Sequence, residues 1–259
     1  FIGNFIFGVS LRAVTAFLGL PPARRGLGWL AFGCINGGIG LTVGGWLADL
    51  EPWLLAAGAL LELIGFASLV ASIGLFGRRN TPPEYNLGTY VRYGWFIRSA
   101  YGWLLVAGIL QALQATGGVL DTEVLTTGLA KPTVHVLALG FITMMIMGMG
   151  SRMIPLFEGS ILPGHRLMDL AFVCMNAGVI LRLAFGLLPL GAEWPGLAAS
   201  GVLGALALAF FAWVVWHALG PAAREAYRVR AQEFGRQHMT QTPLVIGKSL
   251  RPPGGKPLD

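Results

Sequence analysis

Seven stretches of the chain, roughly residues 2–20, 28–48, 53–76, 94–116, 132–154, 168–190 and 197–219, are apolar over about the ~20 residues that a helix needs to cross a ~30 Å hydrocarbon core. In lipid every backbone N–H and C=O must find its partner inside the segment, so these spans dictate helices. The expected fold class is all-α, a polytopic integral membrane bundle of about seven transmembrane helices. Charged residues make up only 12% of the chain and hydrophobic ones 55%, a balance that excludes a soluble domain. The 38 glycines fit the same reading, because intrahelical hydrogen bonds have no water to compete with them in the bilayer.

Punctuation divides the chain. Residues 1–76 hold the first three helices, and 77–93 form a cytoplasmic loop containing Arg78, Arg79, Pro82, Pro83, Glu84 and Arg92. Residues 94–219 form a four-helix part, and 220–259 a basic cytoplasmic tail ending in Pro252, Pro253, Gly254 and Gly255. Apolar residues follow Phe1 directly, without a charged leader region, so the start reads as a helix already under way.

The net charge of +6 could suggest a nucleic-acid partner, but most of the Arg and Lys residues flank the spans. Arg24 and Arg25 follow the first span, Arg78, Arg79 and Arg92 the third, Arg152 and Arg166 the fifth, and Arg224, Arg228 and Arg230 the seventh. The intervening connections carry Asp49 and Glu51, then Asp121, Glu123 and Lys131, then Glu193. By the positive-inside rule the arginine-bearing side is cytoplasmic, the N-terminus outside and the tail inside. Tryptophans 29, 46, 53, 95, 194 and 216 near span ends read as interfacial anchors, and Cys34 and Cys174 as small packing residues.

Chemistry-bearing groups within the spans are few. His135 opens the fifth span and is a candidate ligand for haem or another metal, since an ionisable side chain in a bilayer needs a reason. Periodicity at 3.6 residues places Leu139, Ile142, Met145 or Ile146, Met149 and Met153 on its stripe, with Met144 and Met147 off it. Thioethers such as Met149 suit Cu(I) or an axial haem position, although they fill gaps between helices as readily. Glu62 in the third span and Arg182 in the sixth fall at similar depth, ~12–14 Å below the outer surface at ~1.5 Å per residue. They are expected to pair; the functional alternative has Arg182 binding a haem propionate or quinone oxygen while Glu62 handles protons. Arg98 lies near the cytoplasmic side and can snorkel, whereas Arg12 needs a partner that the sequence does not identify. Gly33, Gly37, Gly40 and Gly44 form small-xxx-small pairs, Asn36 offers an interhelical hydrogen bond, and Gly140, Gly148 and Gly150 permit close approach by a helix or a planar ligand. His165, His217 and His238 lie in a loop, at a span end and in the tail.

The segments Phe96-Ile-Arg-Ser-Ala-Tyr-Gly-Trp-Leu-Leu-Val-Ala-Gly108, His135-Val-Leu-Ala-Leu-Gly140 and Met147-Gly-Met-Gly-Ser-Arg152 resemble the membrane half of the NnrS family over residues 95–190. The family comprises polytopic bacterial proteins associated with haem, copper and nitric-oxide metabolism. The resemblance implies His135 as a haem or copper ligand and Arg152 as an anion or propionate partner. At ~25 Å apart along the helix, the two cannot touch one cofactor. Where family members continue into a Gly-His-Thr-Gly stretch, this chain reads Met153-Ile-Pro-Leu-Phe-Glu-Gly159. The expectation is a haem-associated membrane protein of respiratory or nitrogen-oxide electron transfer, working within a larger complex in the bacterial inner membrane. The alternative is a non-catalytic scaffold subunit of a respiratory or photosynthetic complex that binds neighbouring subunits, lipid or quinone.

Overall fold

The structure, a computed structural model, describes residues 2–47, 52–77, 90–120, 122, 128–186 and 193–241, and these are helical with no strand among them. Most of the 77–93 loop, the acidic residues 49, 51, 121 and 123, and the tail beyond 241 lie outside the described residues. Six helices are long and apolar enough to cross a membrane. They are α2 (Arg25–Leu47), α3 (Pro52–Ile73), α4 (Tyr93–Val119), α5 (Ala130–Glu158), α6 (His165–Gly186) and α7 (Glu193–Ala218).

The first expected span, 2–20, forms a helix shorter than the rest. Helix α1 runs over residues 2–18 as Ile2–Val9, a wide π turn at Ser10–Val14, and Thr15–Leu18, and stops at Gly19, whose φ of 64° suits only a residue without Cβ. Beyond α7 the chain does not become an irregular tail at once: Pro221–Gln241 forms α8. Proline at the first position starts this helix, where its missing N–H needs no partner. The α8 helix is tied to the bundle by Arg224 to Glu158 at 2.6 Å and by the Ile161 N–H to the Ala223 carbonyl at 3.2 Å.

Helix α4 is central. It packs on α3 along one side and on α5 along another, burying Phe96, Ile97, Ala100, Tyr101 and Leu104. The α6 and α7 helices form a second extensive pair beside α5. Tyr101 donates to Ser10 in the wide turn of α1, and its ring lies 5.9 Å from Phe141, within a second wide turn of α5 at Val136–Thr143.

The tightest seam joins α2 to α3, but not along the glycines that the spacing suggested. Gly33, Gly40 and Gly44 have open space where a Cβ would stand. The closest backbone approaches are Gly38 against Gly58 and Ala31 against Gly65, seven residues apart on each antiparallel helix, with Gly45 against Leu55 and Gly28 against Ser72 beyond them; a Cβ on Gly38 would stand 2.7 Å from the Gly58 carbonyl oxygen. A seven-residue step returns to the same face after two turns, so a strip of small residues lets the two backbones meet along most of their length. Asn36 does make the expected interhelical bond, exchanging amide hydrogen bonds of 2.8 and 3.2 Å with Asn4 of α1.

The wide turn in α5 also corrects the methionine stripe. Hydrogen bonding from i to i+5 rotates every later residue relative to the 3.6-residue count. Met144 and Met147, placed off the stripe by that count, are fully buried, whereas Ile146 is exposed and Met149 is partly buried against the core. Gly140 faces the Trp103 ring, Gly148 faces Phe96 and Ile97 of α4, and Gly150 faces Phe211, so protein side chains fill these close approaches. Pro155 does not end α5, which continues to Glu158 and terminates at Gly159 with φ 56°.

Candidate functional site

The first turns of α5 meet the last turns of α6 because Gly186 has no side chain: a Cβ there would stand 2.7 Å from Pro132 Cγ. This approach brings Arg182 onto His135. Arg182 Nη2 lies 2.8 Å from His135 Nε2, and His135 Nδ1 lies 2.8 Å from the Lys131 carbonyl oxygen. Guanidinium can only donate. Nε2 therefore accepts from Arg182, and Nδ1 carries the hydrogen that it donates to the carbonyl. That tautomer and ring orientation are those of a metal-ligating histidine, whose second nitrogen is usually fixed by a backbone carbonyl or carboxylate. Leu129, Val136, Val179, Ala107 and Leu110 form an apolar cluster beside the pair, with Leu183 packed against it. Arg182 has no carboxylate partner among the described residues.

The expected Glu62–Arg182 ion pair does not form. Glu62 accepts from Gln111 Nε2 at 2.8 Å and from Thr42 Oγ1 at 3.3 Å, between α2, α3 and α4, and is 7% exposed. Glu62 on α3 looks toward α2 and α4, whereas Arg182 on α6 looks toward α5. Gln111, which the sequence reading missed, was visible as one of two amides, with Gln114, in an apolar run.

Met149 stands ~21 Å along α5 from His135, too far for both to ligate one group. Arg152 lies at the opposite end of α5 from His135. Its guanidinium sits over the rings of Phe17 at 4.9 Å and Tyr93 at 5.0 Å and donates to the Tyr93 hydroxyl at 2.8 Å, while its buried Nε has no hydrogen-bond partner. The structure thus unites His135 with Arg182 and leaves Glu62, Met149 and Arg152 in separate neighbourhoods.

A second polar node, also missed, lies between α4 and α6: Asn176 Oδ1 accepts from Ser99 Oγ at 2.7 Å and Trp103 Nε1 at 2.9 Å. At the arginine-bearing end, Asp169 takes Arg92 at 2.5 Å and the Tyr90 hydroxyl, with the His165 ring edge-on to Tyr90 at 5.6 Å. Burial first, and then the hydrogen bond to Asp169, push the Tyr90 phenol above its ordinary value; the bond to Asp169 also raises Arg92. His165 opens α6 rather than lying in a loop. His217 stacks on Trp213 at 3.9 Å, and the His238 side chain lies outside the described residues. Arg98 donates to the Leu75 carbonyl at 3.3 Å, and Cys34 and Cys174 are free, half-buried thiols. Among the described residues no three His, Cys, Asp or Glu side chains gather as a metal cage.

Comparison with family models matches the chain to NnrS, the NnrS protein family, over residues 89–222, from the turn before α4 to the start of α8. The match covers just over half of the chain and extends beyond the segment in which the resemblance was read. No curated protein and no solved structure matches the chain.

Proposed function

The chain belongs to the NnrS family, and from that premise we propose that it is a haem-associated membrane protein of respiratory or nitrogen-oxide electron transfer, acting within a larger assembly of the bacterial inner membrane. The carrying observation is His135: its Nδ1–H is held by the Lys131 carbonyl, so the Nε2 lone pair is aimed at a fixed point, and that point is capped by the Arg182 guanidinium, which has no carboxylate partner among the described residues. The residues present fit one axial position and one acid group. His135 would hold the iron and Arg182, swung off Nε2, a propionate; copper at His135 is the lesser form of the same reading. Haem supplies one-electron chemistry when bound. The Lys131 carbonyl keeps the ring from turning, and Arg182 would trade an imidazole for an anion.

The orientation follows the charge. Arg24, Arg92, Arg152 and Arg224 lie at ends of α1–α2, α4, α5 and α8 that the contacts with Ser72, Asp169, Tyr93 and Glu158 gather together. This supports a cytoplasmic arginine-bearing end, with the N-terminus outside and the C-terminal segment inside.

The test is a haemin titration of the purified full chain, with metal analysis of the protein as isolated. A shifted Soret band in the wild type, lost in His135→Ala and weakened in Arg182→Gln, is expected. A chain isolated without haem or copper that gives no Soret shift, or a shift indifferent to His135→Ala, overturns the proposal. One observation favours the scaffold reading: both ring nitrogens of His135 are already satisfied. On that reading His135→Ala leaves every cofactor of the assembly in place.

A further inference from the structure

Helix α1 leaves a groove of about 990 Å³ against the start of α2, and its lining is polarised. Arg12, Arg24 and Arg25 line one end of it. Two turns away along the helices, ~11 Å at ~1.5 Å per residue, the walls are Phe7 and Phe32, with Leu11 and Trp29 between. All three arginines are exposed, and none has an ion-pair partner among the described residues. For Arg12 this is costly, because it projects from an apolar helix where a lone charge demands an anion. The position of Arg24 is set rather than loose: its N–H donates to the Ser72 carbonyl at 2.9 Å, and its own carbonyl accepts from Ser72 Oγ at 3.0 Å. The first turn of α2 carries no acidic residue to neutralise its N–H groups, which adds to the positive field at that end.

We propose that this groove is a binding site for an anionic phospholipid, its phosphate held by Arg12, Arg24 and Arg25 and an acyl chain laid along Leu11, Phe7 and Phe32. The charge complementarity is directional: cationic only at the end where a headgroup of one leaflet would lie, and apolar from there toward the middle of α1. Basic pockets between membrane helices recognise acidic headgroups in this manner. A planar iron macrocycle with two carboxylates shares the amphiphilic outline, but no His, Cys, Met or Tyr lines the groove to take its metal.

Native mass spectrometry of the full chain, released from vesicles of equimolar phosphatidylglycerol and phosphatidylcholine, tests the assignment. The wild type should retain phosphatidylglycerol over phosphatidylcholine. Each Arg→Gln change at 12, 24 or 25 should weaken that retention roughly fivefold, the loss expected for one basic side chain at an acidic lipid surface. Arg228→Gln, on α8, should leave it unchanged, and circular dichroism of each variant confirms that the helices remain. Equal retention of the two lipids by the wild type, or undiminished phosphatidylglycerol in the folded triple variant, refutes the site. Displacement of the lipid by equimolar glycerol phosphate would show a bare phosphate site instead. A haemin Soret shift that survives His135→Ala but disappears with the three arginines would give the groove to a different ligand.

Discussion

The α2–α3 seam makes a quantitative prediction through Gly38→Ala. A Cβ at Gly38 would stand 2.5 Å from Glu62 Cγ, 2.7 Å from the Gly58 carbonyl oxygen and 2.9 Å from the Glu62 backbone nitrogen. Two of these three atoms belong to the α3 backbone and cannot rotate away. Ordinary Cβ contact begins at 3.4 Å, so the helices must part by about 3.4 − 2.7 = 0.7 Å at that point. The same movement loosens Gly45 against Leu55, Gly65 against Ile35 and the bond from Thr42 to Glu62. Overpacking of this kind costs ~1–3 kcal/mol, only partly offset by the ~1 kcal/mol that alanine gains over glycine in a helix interior. The net loss expected is about 0–2 kcal/mol. Gly37→Ala, which would meet only the mobile Leu61 Cδ2 at 3.2 Å, should be near neutral, and Gly33→Ala, with nothing within 4 Å, should be neutral or stabilising. Unfolding of the purified variants by sodium dodecyl sulfate in mixed micelles, followed by circular dichroism, ranks them. A Gly38→Ala protein as stable as Gly33→Ala would refute the seam.

Three further outcomes follow from the polar contacts. Glu62→Gln and Arg182→Gln should be additive within ~0.5 kcal/mol in a double-mutant cycle of unfolding free energies, because the two side chains belong to separate neighbourhoods; a rescue by the second change would restore the ion pair. Asn176→Leu leaves Ser99 and Trp103 without their shared acceptor and should cost ~1–3 kcal/mol in the same unfolding assay, with Ser99→Ala recovering part of it. Tyr90 is the pH-dependent case: its folded phenol holds the proton more tightly than the unfolded one, so its contribution is complete below the ordinary value of 10.0 and is lost as pH rises through the higher folded value. Alkaline unfolding of Tyr90→Phe should therefore lack part of the wild-type decline above pH 10.0, and superimposable curves would contradict the Tyr90–Asp169 contact.

Much of the bundle was legible because the bilayer leaves a chain few options: apolar length demands helices, and charged or glycine-rich breaks mark their ends. The contact between His135 and Arg182 was not legible. His135 and Arg182 both stand out as ionisable groups in apolar spans, but depth is a single coordinate and does not say which helix face a group takes: Glu62 meets Gln111 and Thr42, and Arg182 meets His135. The α2–α3 row was hidden by an abundance of glycine; Gly33, Gly37, Gly40 and Gly44 make the commoner four-residue pattern, while the row that packs repeats at seven. Helix α8 did carry a signal in Pro221-Ala-Ala-Arg-Glu-Ala226, a proline start followed by strong helix formers, which its polarity obscured. Nothing in Val136-Leu-Ala-Leu-Gly-Phe-Ile-Thr143 marks a wide turn, although within it Gly140 meets Trp103 and Phe141 meets Tyr101.

That wide turn gives α5 two phases. Before Val136 the helix is indexed to α6, where His135 meets Arg182; after Thr143 it is indexed to α4, where Gly148 meets Ile97 and Arg152 meets Tyr93. The eight residues between act as a splice joining two rotational settings that an unbroken α-helix could not hold at once. A single-residue deletion in this interval would leave both ends helical and the hydropathy profile unchanged, yet turn one end's side chains away from their neighbours by the angle of one residue, about 100°. Span-by-span hydropathy is blind to such a change, and chimeras built by exchanging whole apolar segments need to carry the splice with whichever end they mean to preserve.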